Sequence, residues 1–156
     1  MKIFDRSKIL FSLLLTSLVV MLTIPVQAEQ FESYGDYQIH YIAFSSEIIS
    51  PEIAQQYELE RARNRAVLNI SVLKVDASGA TKAVSAAVRG SFTNLAQQKQ
   101  TLDFHRVVEG DAIYYLASLR YTNREILQFD IEFQPDVAQP VRKLSFSQQL
   151  YFEPKK

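Results

Sequence analysis

The run LQFDIEF, Leu127 to Phe133, alternates without a break. Leu127, Phe129, Ile131 and Phe133 fall on one side, and Gln128, Asp130 and Glu132 on the other. A period of two places these sets on opposite faces of a pleated strand, one toward a core and one toward water. The same period recurs through most of the chain, and helical spacing is scarce. It predicts strands over 37–44, 66–75, 81–95, 101–108, 112–121, 127–133 and 141–152. Leu68, Ile70 and Val72 share one inward face, as do Val84, Ala86, Val88 and Phe92, and Leu144, Phe146, Leu150 and Phe152. Tyr37 to Phe44 is apolar on both faces, as in a central strand. Gly90 inside its run reads as a bulge or bend. Turns fall at Asp76-Ala77-Ser78-Gly79, Glu109-Gly110-Asp111 and Thr122 to Glu125, with a loop from Pro135 to Pro140. One short helix is expected over Pro51 to Tyr57, with Ser50 as its cap, Pro51 in its first turn and Glu52 near the positive end of its dipole.

About seven strands joined by short turns predict an all-β fold, an antiparallel β-sandwich with one short helix; a closed barrel is the alternative. The chain has no cysteine and no tryptophan. "Immunoglobulin-like" therefore describes the expected architecture only.

Ahead of the strands, Lys2, Arg6 and Lys8 precede an apolar run from Ile9 to Ile24; Pro25 breaks it and Val26-Gln27-Ala28 has a small-x-small form. This pattern predicts a secretory signal peptide over residues 1–28, cleaved after Ala28. The apolar run is shorter than the roughly 20 residues a spanning helix needs, so no stable membrane insertion is expected after cleavage. Residues 29–156 then form one domain, long enough to bury a core without disulfides. Removing Lys2, Arg6, Lys8 and Asp5 from 17 basic and 17 acidic residues leaves 14 against 16. Nucleic-acid binders carry a basic excess, so no nucleic-acid partner is expected.

Candidate chemistry is thin. Absence of cysteine excludes thiol catalysis and thiolate metal sites. Serine nucleophiles need a base, and only His40 and His105 exist, with no G-x-S-x-G elbow. His40 lies in the densest apolar strand, as a core or interface residue would. Asp103 and His105 sit two apart, so on one strand both would point the same way and make half of a divalent metal site. Asp130 with Glu132, and Glu109 with Asp111, are carboxylate pairs of the type glycosidases use, and equally the polar face of a strand. Four unclustered glycines make no phosphate cradle, and no cofactor is expected. Arg61, Arg63 and Arg65 alternate just before a strand. If extended they would share one face, suited to an acidic partner surface or to guarding a sheet edge. Tyr57 lies close by. Tyr34, Tyr37, Tyr114 and Tyr151 fall off the inward faces, open to protein recognition or to cross-strand packing.

Two stretches, YIAFSSEIISPEIAQQYELERARNRAVLNISVLK (41–74) and LAQQKQTLDFHRVVEGDAIYYLASLRYTNREILQFDIEFQP (95–135), together resemble a family of exported proteobacterial proteins catalogued as domain of unknown function 4426. The likeness covers nearly all of the chain after residue 28. Its landmarks are Ser50-Pro51-Glu52 with Ala54 and Tyr57, then Asn64 to Val72, and Glu109 to Leu116. The resemblance implies a periplasmic β-sandwich from a Gram-negative bacterium and no activity.

The expectation is a periplasmic, non-catalytic binding or accessory module that holds a protein partner of the cell envelope, with Arg61, Arg63, Arg65 and Tyr57 as the binding residues. Two alternatives stand beside it: a metal-dependent hydrolase built on Asp103 and His105, and a carrier of a small apolar ligand. The sequence leaves the oligomeric state open.

Overall fold

The computed structural model describes residues 30–152; the expected leader, residues 1–28, lies outside them. Among these residues ten strands, numbered in chain order, form two antiparallel sheets. The larger sheet runs β1 (Gln30–Tyr34), β2 (Tyr37–Ser45), β3 (Arg65–Val75), β8 (Ala112–Arg120), β7 (His105–Glu109), and β4 (Thr81–Ala83) pairs with the far end of β3. The smaller runs β10 (Arg142–Leu150), β9 (Glu125–Gln134), β5 (Ala87–Asn94), β6 (Lys99–Leu102). The sheets are separate, so this is a sandwich and no barrel closes.

Inward faces carry the alternation read above. Ile39, Leu68, Ile70 and Val72 of the larger sheet meet Leu127, Phe129, Ile131, Phe133 and Leu144 of the smaller, all at most 1 % exposed. Phe129 stacks on Phe146 at 4.8 Å between ring centres and tilts against Phe92 at 6.1 Å. Each such side chain contributes roughly 1.5–3 kcal/mol by leaving water. Tyr34 and Tyr37, expected off the inward faces, instead pack against this core because both keep the inward phase of Ile39; Tyr34 meets Phe133 edge-on at 5.2 Å.

The helix forms as expected, as α1 (Pro51–Gln56), with Ile53 N–H donating to the Ser50 hydroxyl at 3.3 Å. Tyr57 caps its end and Glu58 leaves it with φ +54. That left-handed step lets Leu59 N–H donate to Ala54 O at 2.8 Å and turns Leu59 inward beneath the helix.

Four other expectations need correction. Thr81 to Leu95 is two strands, β4 and β5, in different sheets; Ser85 and Ala86 cross between them. Gly90 is no bulge, because the β5–β9 register runs unbroken from Ala87 opposite Gln134 to Asn94 opposite Leu127. It is needed for close approach: a Cβ there would lie 2.6 Å from Ile131 Cδ1 and 2.7 Å from Asp130 O. Thr101 to Val108 likewise splits at Asp103-Phe104 into β6 and β7, so Asp103 and His105 do not share a strand. Arg61 and Arg63 precede β3, which starts at Arg65, so the three arginines do not line one strand face.

A polar residue, Gln148, sits at an inward position opposite Leu127. Gln148 of β10 reaches across to β2, where Ala43 N–H donates to its Oε1 at 3.3 Å and its Nε2 donates to Ala43 O. β1 pairs with β2 only from Gln30 opposite Tyr41, so the Gln148 amide satisfies the peptide groups that β1 does not reach.

Candidate functional site

A strand of a sandwich that is apolar on both faces needs a reason on its outer side. On β2 the inward residues are Ile39, Tyr41 and Ala43, and the outward ones include His40, Ile42 and Phe44. The outer face of the larger sheet is divided. At one end α1 and its flanks cover it: Ala54 and Leu59 pack on Val67, with Phe44, Ile49, Tyr57 and Leu116 around them. At the other end it is open. There a cavity of about 210 Å³ is lined by His40, Ile42, Asn69, Ser71, Leu73, Ala83, Ala112 and Tyr114, with Tyr41 behind.

Each wall is set by strand register. Ile42 lies opposite Asn69 and His40 opposite Ser71 on β3, while Leu73 lies opposite Ala83 of β4. Tyr114 comes from β8 opposite Val107. Phe31 of β1, opposite His40, stacks on its ring at 5.1 Å and 22°. His40 Nε2 is 3.4 Å from Gln38 Oε1. Ser71 is engaged, donating to Ile113 O at 3.0 Å, whereas Asn69 Oδ1 is buried and accepts no hydrogen bond from a described residue. Phe31 and Ile42 stay 49 % and 44 % exposed, and these two side chains make an apolar rim beside a mostly apolar cavity that His40, Asn69 and Ser71 furnish with polar groups.

A slightly larger cavity, about 270 Å³, lies on the smaller sheet near Asn94, Gln97, Gln128 and Asp130. Two of its polar groups already serve the fold. Asn94 holds its own turn through Gln98 N–H at 2.9 Å, and Asp130 accepts from Ser145 at 2.7 Å. The cavity under Ile42 is the better candidate.

The residues singled out in the sequence are scattered. Arg61 donates to Glu47 O at 3.0 Å. Arg63 stands over the Phe152 ring at 5.0 Å. Arg65 pairs with Glu60 at 2.6 Å and lies opposite Arg120 on the outer face. Tyr57 donates its hydroxyl to Glu109 Oε1 at the tip of β7. Tyr57 therefore reaches the border of the open face, Arg65 lies at the covered end of β3 beyond Val67, and Arg61 and Arg63 fasten the segment between α1 and β3. Asp103 Oδ2 is 3.9 Å from His105 Nε2, with both side chains mostly in water. Among the described residues no three histidine, aspartate or glutamate side chains gather as a metal site.

The carboxylate pairs have structural partners. Glu132 lies between Arg89 of β5 and Lys143 of β10 in register. Arg89 donates to it at 2.7 Å and holds its carboxyl below the usual range, with Lys143 at 3.7 Å adding to the effect. Tyr151 is 71 % exposed at the end of the described chain, and Tyr114 alone of the four tyrosines flagged above lines the cavity. Sequence reasoning missed Phe31, Ile42 and Asn69. The signal that points to two of them is the double-faced YQIHYIAF, together with Gly35-Asp36 as a two-residue hairpin turn that creates β1.

A family model described as a domain of unknown function, DUF4426, matches residues 31–153. No curated protein sequence matches the chain. Among solved structures, a DUF4426 family protein from Pseudomonas aeruginosa PAO1 is similar at 32 % identity and TM-score 0.71, covering 83 % of this chain and 99 % of that one. FetP of uropathogenic Escherichia coli, recombinantly expressed in the periplasm, is similar at 14 % identity and TM-score 0.57, covering 80 % of this chain and 94 % of that one. A copper-bound variant of FetP matches at the same identity and TM-score, with 78 % and 94 % covered. At that identity the FetP likeness concerns the fold. No helix among the described residues is long and apolar enough to cross a membrane.

Proposed function

Because the chain belongs to the DUF4426 family, a family of unknown function, its role has to be read from its surface, and we propose that it is an exported periplasmic module that binds a protein partner without catalysis. The observation that carries this is the open half of the outer face, where half-exposed Phe31 and Ile42 flank the cavity lined by His40, Asn69 and Tyr114. Small-molecule sites usually enclose about 300–1,000 Å³, and this cavity is smaller. It suits one anchoring side chain of a partner whose main contact is the surrounding apolar rim. Tyr57 extends the same face toward α1. Export to the periplasm rests on the leader pattern of residues 1–28, and FetP, a protein of the same fold, was produced in that compartment.

The test is co-isolation of the partner from the native cell envelope with face-specific variants. Ile42→Glu and Tyr114→Ala should each reduce the recovered partner about tenfold, a loss near 1.4 kcal/mol. Both should leave the far-ultraviolet circular dichroism unchanged, and Gln128→Glu on the opposite sheet should recover the partner fully. Equal recovery with all three variants would overturn the proposal.

A further inference from the structure

Every sandwich has open sheet edges, and among the described strands the ends of the two sheets give four, β1 and β7 on the larger and β10 and β6 on the smaller, beside the three-residue β4 that flanks only β3. Open edges offer unpaired peptide groups to another chain unless charge, brevity or a covering group blocks them. Three of the four are blocked. β10 is engaged by Tyr34, whose hydroxyl lies 2.7 Å from Lys143 O. β6 is four residues long and starts with Lys99. On β1, the antiparallel register that overlaps the whole strand with a second copy sets Glu32 against Glu32, and like charges directly opposite repel.

β7 is different. The two-residue turn Gly110-Asp111 closes the β7–β8 hairpin with Glu109 opposite Ala112. Two-residue hairpins close on a hydrogen-bonded pair, so Glu109, Val107 and His105 turn their peptide groups toward β8. Arg106 and Val108 then turn theirs to the open edge. No hydrogen bond with a described residue outside the strand ladders uses those groups. A second β7 placed antiparallel so that all five residues overlap pairs Arg106 with Val108 of the second copy, and Val108 with its Arg106. These are the residues with free groups. Val107 then meets Val107 on the two-fold axis, and each His105 imidazole faces Glu109 of the second copy on the outer face. An imidazole facing a carboxylate replaces the like-charge clash found on β1. Glu109 is already oriented by the Tyr57 hydroxyl, and Val108 is 52 % exposed in the free chain.

From this self-complementarity we infer that β7 is a homodimerisation edge, joining two copies of this chain into one continuous sheet through a two-fold axis at Val107. The contact is isologous, as closed dimers require. It is separate from the cavity under Ile42 and leaves that face open on both copies.

Disulfide trapping reads the register directly, because the chain has no cysteine of its own. Val107→Cys places two thiols at a non-hydrogen-bonded antiparallel pair, where Cα atoms are about 4.5 Å apart, within the span of a disulfide. His105→Cys alone places them roughly 14 Å apart by strand rise, too far to bridge. Under mild oxidation the purified Val107→Cys protein should convert to a covalent dimer, and His105→Cys should stay monomeric. Mixing His105→Cys with Glu109→Cys should give the mixed dimer, which tests the register at exposed positions even where a change at Val107 perturbs the fold. Absence of both the Val107→Cys dimer and the mixed dimer, or equal crosslinking by all single variants, would overturn the inference.

Discussion

Replacing Gly90 by alanine should weaken the sandwich by an amount the structure fixes. Gly90 faces Ile131 across the β5–β9 ladder, and Ile131 is 1 % exposed. An added Cβ would sit 2.6 Å from Ile131 Cδ1, 2.7 Å from Asp130 O and 3.3 Å from Ile131 Cα. Ordinary carbon contacts are about 3.5–4.0 Å, so both near atoms must retreat. The isoleucine tip has little room in a filled core, and the Asp130 carbonyl belongs to the backbone of a central strand. Overpacking of this type costs about 1–3 kcal/mol, and a clash with main chain belongs at the upper end. Alanine recovers roughly 0.5–1 kcal/mol of backbone entropy, leaving a net loss of about 2 kcal/mol. With a urea slope of about 1–3 kcal/mol/M, the unfolding midpoint should fall by about 1 M with the slope unchanged. Ile131→Val, which removes Cδ1, should rescue Gly90→Ala only in part, because the Asp130 carbonyl remains. An unchanged or raised midpoint for Gly90→Ala would refute the close-approach reasoning, and full rescue would assign the whole clash to the side chain.

Two other perturbations follow from single contacts. Gln148→Leu keeps the volume but strands the Ala43 peptide groups in a site 2 % exposed, so urea unfolding should report a loss of about 2–4 kcal/mol; a loss under about 0.5 kcal/mol would show that water replaces the amide. Burial first, and then the Glu32 carboxylate at 2.8 Å, push the Tyr34 phenol up to about 12 from 10.0. A folded pKa above the unfolded one means that the stabilisation is complete below pH 10.0 and is lost as pH rises through about 12. Tyrosinate absorbance should therefore show a late step that Tyr34→Phe removes, and ionisation of every phenol near 10 in the folded protein would contradict it.

The fold was legible because alternation is a local signal. Leu127 to Phe133 sits in the structure as its spacing demands, and Ser50-Pro51-Glu52 starts a helix by chemistry contained in three residues. What local periodicity does not carry is sheet membership. Thr81 to Leu95 and Thr101 to Val108 each keep their alternation across a crossover, so two strands in different sheets look like one. The arginines divide: Arg65 takes a partner within local reach, Glu60, whereas Arg61 and Arg63 answer to Glu47 and Phe152, which tertiary structure supplies. The cavity needed three strands in register before Ile42, Asn69, Leu73 and Tyr114 became neighbours. Only the apolar outer side of β2 hinted that something covers or binds that face.

The outer face of the larger sheet is the central claim, and a photocrosslinking amino acid placed at Ile42 in living cells tests it most directly. The account predicts a protein adduct from position 42 that disappears when Tyr114→Ala is added, and none from position 128 on the opposite sheet. Adducts from both positions, or from position 128 alone, would contradict it.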